Sequence, residues 1–183
     1  MLQNVINKLC TILLLTISMY TYSDSVYRGD NNHNNYYGDK KIYGNEISWE
    51  FKAGDRPIDI SPIYNDLNIF IATTDGYIYS LDKKSGIENW SVKLDTKLTS
   101  QLYIHNDSLV VGDDDGSIYT INTFNKKIEK VYNVINERTI MNPFHKDGVI
   151  YTTHDKGYIC TLVPTLENKI DCYSTRSTFF AGP

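Results

Sequence analysis

The stretch Ile69–Trp90, IFIATTDGYIYSLDKKSGIENW, decides the fold. An apolar run (Ile69–Ala72) meets a tight turn at Thr74-Asp75-Gly76, and an alternating run (Tyr77–Leu81) follows. A second turn over Asp82–Gly86 leads to Trp90. Asp-Gly between two β-rich runs is a hairpin signal, because glycine takes φ > 0 without a Cβ clash. The pattern returns as Leu109–Gly112, Asp115-Gly116 and Ser117–Ile121. It returns again as Val149–Thr152, Lys156-Gly157 and Tyr158–Leu162.

Several landmarks keep the same period. The turn glycines Gly76, Gly116 and Gly157 are spaced 40 and 41, and the aromatics Trp49, Trp90, Tyr132 and Tyr173 are spaced 41, 42 and 41. Between them Ser61–Tyr64, Ser100–Tyr103 and Met141–Phe144 align, each followed by a polar turn. Four short strands per period of about 40 residues are the pattern of a β-propeller blade. No long segment carries the i, i+3, i+4, i+7 apolar spacing of a helix. The expected fold is therefore all-β, a partial β-propeller of about three four-stranded antiparallel blades plus the start of a fourth.

Residues 45–183 form the repeat region. Blade one is expected over about 47–81, opening on Ile47–Phe51; blade two spans about 90–121 and blade three about 131–162. Residues 169–183 then read as the start of a fourth. Propellers close as rings of 4–8 blades, which protects their strand edges. An open wedge of three blades is thus expected to be an N-terminal or truncated portion of a longer protein. Its open blade edges leave self-association as the competing reading.

With 41% hydrophobic and 22% charged residues and a net charge of −4, the composition suits a globular chain. No Lys/Arg cluster exceeds pairs such as Lys126-Lys127, so the electrostatic footprint of a nucleic-acid binder is missing. At the N-terminus, a polar start with Lys8 precedes the apolar run Leu9–Tyr20, and small residues follow at Thr21 and Ser23. That layout predicts a signal peptide over 1–23, hence an exported chain, periplasmic or secreted, without a membrane span after cleavage. Residues 24–44, rich in Asn, Asp, Gly and Tyr, read as an irregular lead-in segment. Cleavage leaves Cys160 and Cys172. An exported chain can keep a disulfide, but Cys160 occupies the slot of Tyr79 and Tyr119, which points to strand packing and two separate thiols.

Ser80–Trp90, S-L-D-K-K-S-G-I-E-N-W, resembles the tryptophan-docking motif A-x-D-x-x-T-G-x-x-x-W of pyrroloquinoline-quinone (PQQ)-like repeat propellers. Asp82, Gly86 and Trp90 match directly, and Ser80 and Ser85 are conservative replacements. Asp82 can accept hydrogen bonds from the turn backbone, Gly86 supplies the positive φ, and Trp90 can seal a seam between blades. The motif decays in later blades, where Asn122 stands for the aspartate, Lys126 for the glycine and Lys130-Val131-Tyr132 for the tryptophan; Pro164 follows the corresponding strand of blade three. Weaker docking is expected there. The resemblance implies either a quinoprotein dehydrogenase, which binds PQQ and calcium, or a non-enzymatic propeller. The latter class includes the outer-membrane barrel-assembly scaffold subunit and the luminal domains of stress-sensing kinases.

Candidate chemistry is sparse. Asp113-Asp114-Asp115-Gly116 superficially resembles a calcium loop, yet the twelfth position from Asp113 is Phe124, where a bidentate glutamate is needed. A solvated turn is the expected reading. His105 and His145 fall at equivalent turns, and without an evident third ligand they read as solvent-exposed turn tips rather than a zinc site. No catalytic residue, cofactor or metal ligand is assigned. Tyr77, Tyr79, Tyr119 and Tyr158 could serve protein contacts or blade packing. The sequence thus predicts an exported, non-catalytic PQQ-like repeat propeller that acts as a protein-interaction scaffold, with an unidentified protein partner. The alternatives are an N-terminal fragment of a PQQ/calcium-dependent quinoprotein dehydrogenase and a stress-sensor-like luminal domain.

Overall fold

A computed structural model describes residues 46–105, 107–139, 143–164 and 169–177. The expected signal peptide (1–23), the lead-in segment (24–44) and the last six residues lie outside these. Twelve strands are described: β1 (Ile63–Tyr64), β2 (Asn68–Ala72), β3 (Tyr77–Asp82), β4 (Glu88–Lys93), β5 (Tyr103–His105), β6 (Ser108–Gly112), β7 (Ser117–Asn122), β8 (Ile128–Asn133), β9 (Phe144–Lys146), β10 (Val149–His154), β11 (Tyr158–Val163) and β12 (Lys169–Ser174). The one helical element among the described residues is a 3-10 turn at Asp155–Gly157. The strands form three four-stranded antiparallel meanders, β1–β4, β5–β8 and β9–β12.

From Ile63 onward the strands fall where the period puts them, but the expected opening strand Ile47–Phe51 is absent and the grouping differs by one. The strand carrying Trp90 is the fourth of the first sheet, paired with β3 through Ser80↔Trp90, and does not open the second. Likewise Lys169–Ser174, expected to begin a fourth blade, pairs along its full length with β11 and closes the third sheet. The links explain this grouping. The turn from β3 to β4 is a tight hairpin in which Gly86 N–H donates to the Asp82 carbonyl, whereas the longer 94–102 link crosses to the next sheet. Residues 46–50 form no strand. Trp49 and Phe51 instead pack over Ile69, Ile71, Tyr79 and Leu81, on the face of the first sheet turned away from the second.

Strand alternation sends successive side chains to opposite faces and so builds a layered core. Phe70, Ala72, Ile78 and Trp90 of the first sheet meet Leu102, Ile104, Leu109, Val111 and Ile121 of the second. The other face of the second sheet, with Tyr103, Val110, Ile118 and Tyr132, meets Ile150 and Leu162 of the third. Each fully buried aliphatic or aromatic side chain contributes roughly 1.5–3 kcal/mol relative to exposure. The outer face of the third sheet leaves Tyr151, Ile159 and Tyr173 exposed.

Each sheet's central turn is stitched to the link that follows it. Gly76, Gly116 and Gly157 all have positive φ, and a Cβ at any of them would run into the carbonyl of Leu94, Ile135 or Ser177. This close approach requires glycine, so the period of 40–41 has a steric cause. The links are also bridged to the hairpins, by Leu98 to Asp113 and by Thr139 to His154.

Candidate functional site

The features that could carry function lie at the seams between sheets, and the Asp82–Gly86 turn shows how one is made. Asp82 Oδ1 accepts from the N–H groups of Lys84 (3.1 Å) and Ser85 (2.8 Å) and from the Ser85 hydroxyl (2.8 Å). The Ser85 hydroxyl, followed by these backbone donors, holds the Asp82 carboxyl below its ordinary range. Gly86 has φ +71, and the Trp49 ring covers it so closely that an added Cβ would lie 2.5 Å from the indole. The Trp49 indole N–H donates to the Lys83 carbonyl at 3.2 Å. The tryptophan sealing this turn is therefore Trp49, from the preceding segment.

Trp90 performs the same contact one repeat later. Its indole N–H donates to the Thr123 carbonyl at 2.9 Å, beside the Asn122–Lys126 turn, and its ring sits 6.1 Å from Phe70. Asn122 stands in for Asp82 by accepting from the Phe124 and Asn125 N–H groups, and Lys126 adopts φ 56 where glycine is absent. The substitutions expected to weaken docking thus preserve the turn. Ser80, cross-strand from Trp90, is buried, and its hydroxyl has no hydrogen-bond partner among the described residues.

The second seam is built differently. By strand register Lys130 takes the Trp90 place, opposite Thr120, while Tyr132 lies opposite Ile118 and matches Val92. The aromatic landmark is therefore shifted two residues along its strand. Tyr132 is only 4% exposed and packs among Ile118, Ile150 and Leu162. Pro164 stands where Thr123 supplied a carbonyl to Trp90, and the third sheet's hairpin lacks the register shift seen in the first two.

A cleft of about 570 Å³ opens in this second seam, lined by His105, Glu129, Tyr132, His145, Ile150 and Pro164 among others. The two histidines are half-buried and stacked, ring centroids 3.7 Å apart and 27° between planes; they are not the solvent-exposed turn tips expected. Nitrogen lone pairs lie in the imidazole planes, so stacked rings do not converge on one ion. No group of three or more His, Cys, Asp or Glu is placed to hold a metal among the described residues.

The Asp113–Gly116 turn also departs from expectation. Asp113 is buried rather than solvated, accepting from Thr96 and Tyr119 hydroxyls at 2.9 and 3.1 Å and from the Asp115 and Ser117 N–H groups at 3.0 and 2.7 Å. A carboxylate so occupied organises its own turn. Thr73 and His154 hold the equivalent places. His154 is fully buried, and its neighbours fix the neutral tautomer: Nδ1–H donates to the Glu137 carbonyl at 3.0 Å, and Nε2 accepts from the Thr152 hydroxyl at 2.8 Å. Burial lowers its pKa. Of the four tyrosines considered for partner contacts, Tyr79 is buried and stacked on Tyr77, whose ring carries Arg56 at 4.0 Å.

The cysteines correct the expectation of separate thiols. Cys160 and Cys172 form a disulfide, with Cα atoms 4.2 Å apart. They are direct partners in the β11–β12 ladder, so strand register brings them together.

With the geometry in place, the comparisons are consistent. A family model described as "Outer membrane protein assembly factor BamB" matches residues 44–133 and 74–164, well over half of the chain. A curated relative, the outer membrane protein assembly factor BamB of Taylorella asinigenitalis (strain MCE3), is 39% identical over 61 residues, covering 33% of this chain and 16% of the relative. The crystal structure of BamB from Moraxella catarrhalis superposes with a TM-score of 0.52 at 17% identity, covering 63% of this chain and 37% of that one. The quinohemoprotein alcohol dehydrogenase ADHIIG from Pseudomonas putida HK5 gives a TM-score of 0.53 at 14% identity, covering 60% of this chain and 19% of the enzyme. Both structural likenesses speak to the β-propeller fold alone. The chain spans about a sixth of the curated relative it matches.

Proposed function

The chain belongs to the family described as outer membrane protein assembly factor BamB, and we propose that it acts as an exported, non-catalytic scaffold in outer-membrane protein assembly. The observation that carries the reading is the docking geometry within the matched residues, in which Trp49 locks onto a turn of the first sheet and Trp90 onto a turn of the second. Such seams make a rigid stack of sheets whose loop-bearing rims offer docking surface, the physical basis of an interaction module. Ser80, Asp82, Ser85, Gly86 and Trp90 serve docking, and Gly76, Gly116 and Gly157 serve the turns. The Cys160–Cys172 disulfide supports an oxidising compartment, in keeping with an exported chain.

The buried polar groups support a non-catalytic role, since Asp113 and His154 each spend their hydrogen-bonding capacity on local backbone and hydroxyl partners. The test is to produce the product of the complete reading frame with its own leader, fractionate the cells, and cross-link envelope proteins in place. The expected result is recovery in the envelope, cross-links to proteins of outer-membrane assembly, and depleted outer-membrane β-barrel proteins in a deletion strain. Recovery in the cytoplasm, or unchanged β-barrel levels without cross-links, overturns the proposal. Calcium-dependent PQQ binding by that product would favour the dehydrogenase instead.

A further inference from the structure

The last strand of the third sheet carries a covalent tie that its two counterparts lack. β4 is anchored across a seam by Trp90, 9% exposed, and β8 by Tyr132, 4% exposed. In β12 the register position of Tyr132 belongs to Tyr173, on the face turned away from the second sheet. Ile170 alone among β12 side chains packs on the adjoining core, and only partly. Like β4 and β8, β12 lies at the edge of its sheet, paired with β11 among the described residues. Among the described residues its covalent tie to the sheet is the bond from Cys172 to Cys160.

The two cysteines differ in exposure. Cys160 is fully buried beneath the strand, whereas Cys172 is exposed. Thiol exchange needs a thiolate to reach one sulfur of the pair. We propose that Cys172 is a thiol-exchange site and that the disulfide is a redox latch fastening β12 to the third sheet. The co-reactant is a dithiol, either a small molecule or a protein carrying two neighbouring cysteines. Its thiolate attacks Cys172 Sγ, forming a mixed disulfide as the bond to Cys160 breaks; Cys160 leaves as a thiolate and takes up a proton. The second thiol of the co-reactant then displaces Cys172. The protein ends with two thiols and the dithiol with one disulfide, so atoms and electrons balance. β12 loses its covalent tie and is left with its ladder hydrogen bonds to β11, so that whenever it frays the β11 edge opens to pairing with another strand.

The test uses the full chain as produced in an oxidising compartment. Alkylation with peptide mapping is followed against dithiothreitol concentration, and hydrogen exchange of β12 amides is measured before and after reduction. Labelling at Cys10 is scored separately. The expected result is no labelling of Cys160 or Cys172 without reductant, and labelling of both above a threshold. β12 exchange should then quicken by about a hundredfold, from the entropy of freeing a closed loop of this size, with β2 and β3 little changed. A double Cys160→Ala, Cys172→Ala chain should exchange like the reduced protein and ignore dithiothreitol. A glutathione mixed disulfide trapped during reduction should map to Cys172. Free thiols before reduction, unchanged β12 exchange after it, or a mixed disulfide at Cys160 each overturn the proposal.

Discussion

Replacing Trp90 tests the seam most directly. The indole is buried against Phe70, and its N–H meets the Thr123 carbonyl of the next sheet at 2.9 Å. Truncation to alanine removes that packing, leaves a cavity and strips the carbonyl of its donor. Large-to-small changes of this kind cost roughly 3–5 kcal/mol, a large share of the 5–15 kcal/mol typical of a folded domain. Trp90→Phe keeps most of the ring contact and loses the hydrogen bond, so its cost should be about 1–2 kcal/mol. Trp49→Ala should fall below Trp90→Ala, because Trp49 is half-exposed and its bond is longer, at 3.2 Å. Urea unfolding followed by circular dichroism gives all three values, since the fluorescence probe itself is being removed. A Trp90→Ala loss under about 1 kcal/mol, or a Trp90→Phe loss equal to it, would refute docking through the indole N–H and packing; the lower limit is that of an ordinary surface change.

Four further outcomes follow from the same fold. Gly86→Ala should cost about 2–4 kcal/mol in a thermal melt, since the left-handed backbone is strained and the new Cβ meets the Trp49 ring. Lys126→Gly, at the equivalent position, should instead stabilise by about 0.5–1 kcal/mol by relieving φ 56. Ser80→Ala should stabilise by up to about 1 kcal/mol, because it removes a buried hydroxyl without a partner; a loss above that size would show that the hydroxyl is satisfied in solution. His154 has its pKa lowered by burial, so the unfolded chain binds a proton there before the folded one does. Its contribution is intact above the ordinary histidine range, about 6.5, and is lost as pH falls from there through the lower folded value. Melting temperatures from pH 7.5 to 5 should fall less steeply for His154→Asn, which retains a donor for the Glu137 carbonyl; parallel profiles would refute the assignment.

The repeat was legible because its cause is local. Gly76, Gly116 and Gly157 each sit under a carbonyl that leaves no space for a Cβ, so the spacing survives while neighbouring residues drift. The blade phase is harder to see, because Trp90 is the strongest landmark and looks like an opening, yet lies in the fourth strand of its sheet. The better signal was the short link between Asp82 and Glu88 beside the long one after Lys93, since a tight turn joins strands of one sheet. The Tyr132 shift was hidden in a spacing of 42 against 41, a difference that only strand register resolves. The disulfide depended on the pairing of β11 with β12, which sequence separation alone does not fix. Asp113 reads like a hydrated turn residue until Thr96 and Tyr119, from other parts of the fold, are brought over it.

Each tryptophan is completed by a turn that follows it in the chain. Trp49 finds its acceptor 34 residues later and Trp90 finds its own 33 residues later. A chain emerging from a ribosome or a secretion channel therefore carries, through its first two sheets, a tryptophan awaiting a turn not yet delivered. Closure over such a span is quick and entropically modest, so folding can advance like a ratchet, one repeat behind emergence. Damage to a single turn would then arrest assembly at that repeat while everything upstream stayed folded. Premature release would strand the last sheet with its outer face bare, a form that quality-control proteases could recognise by that face alone.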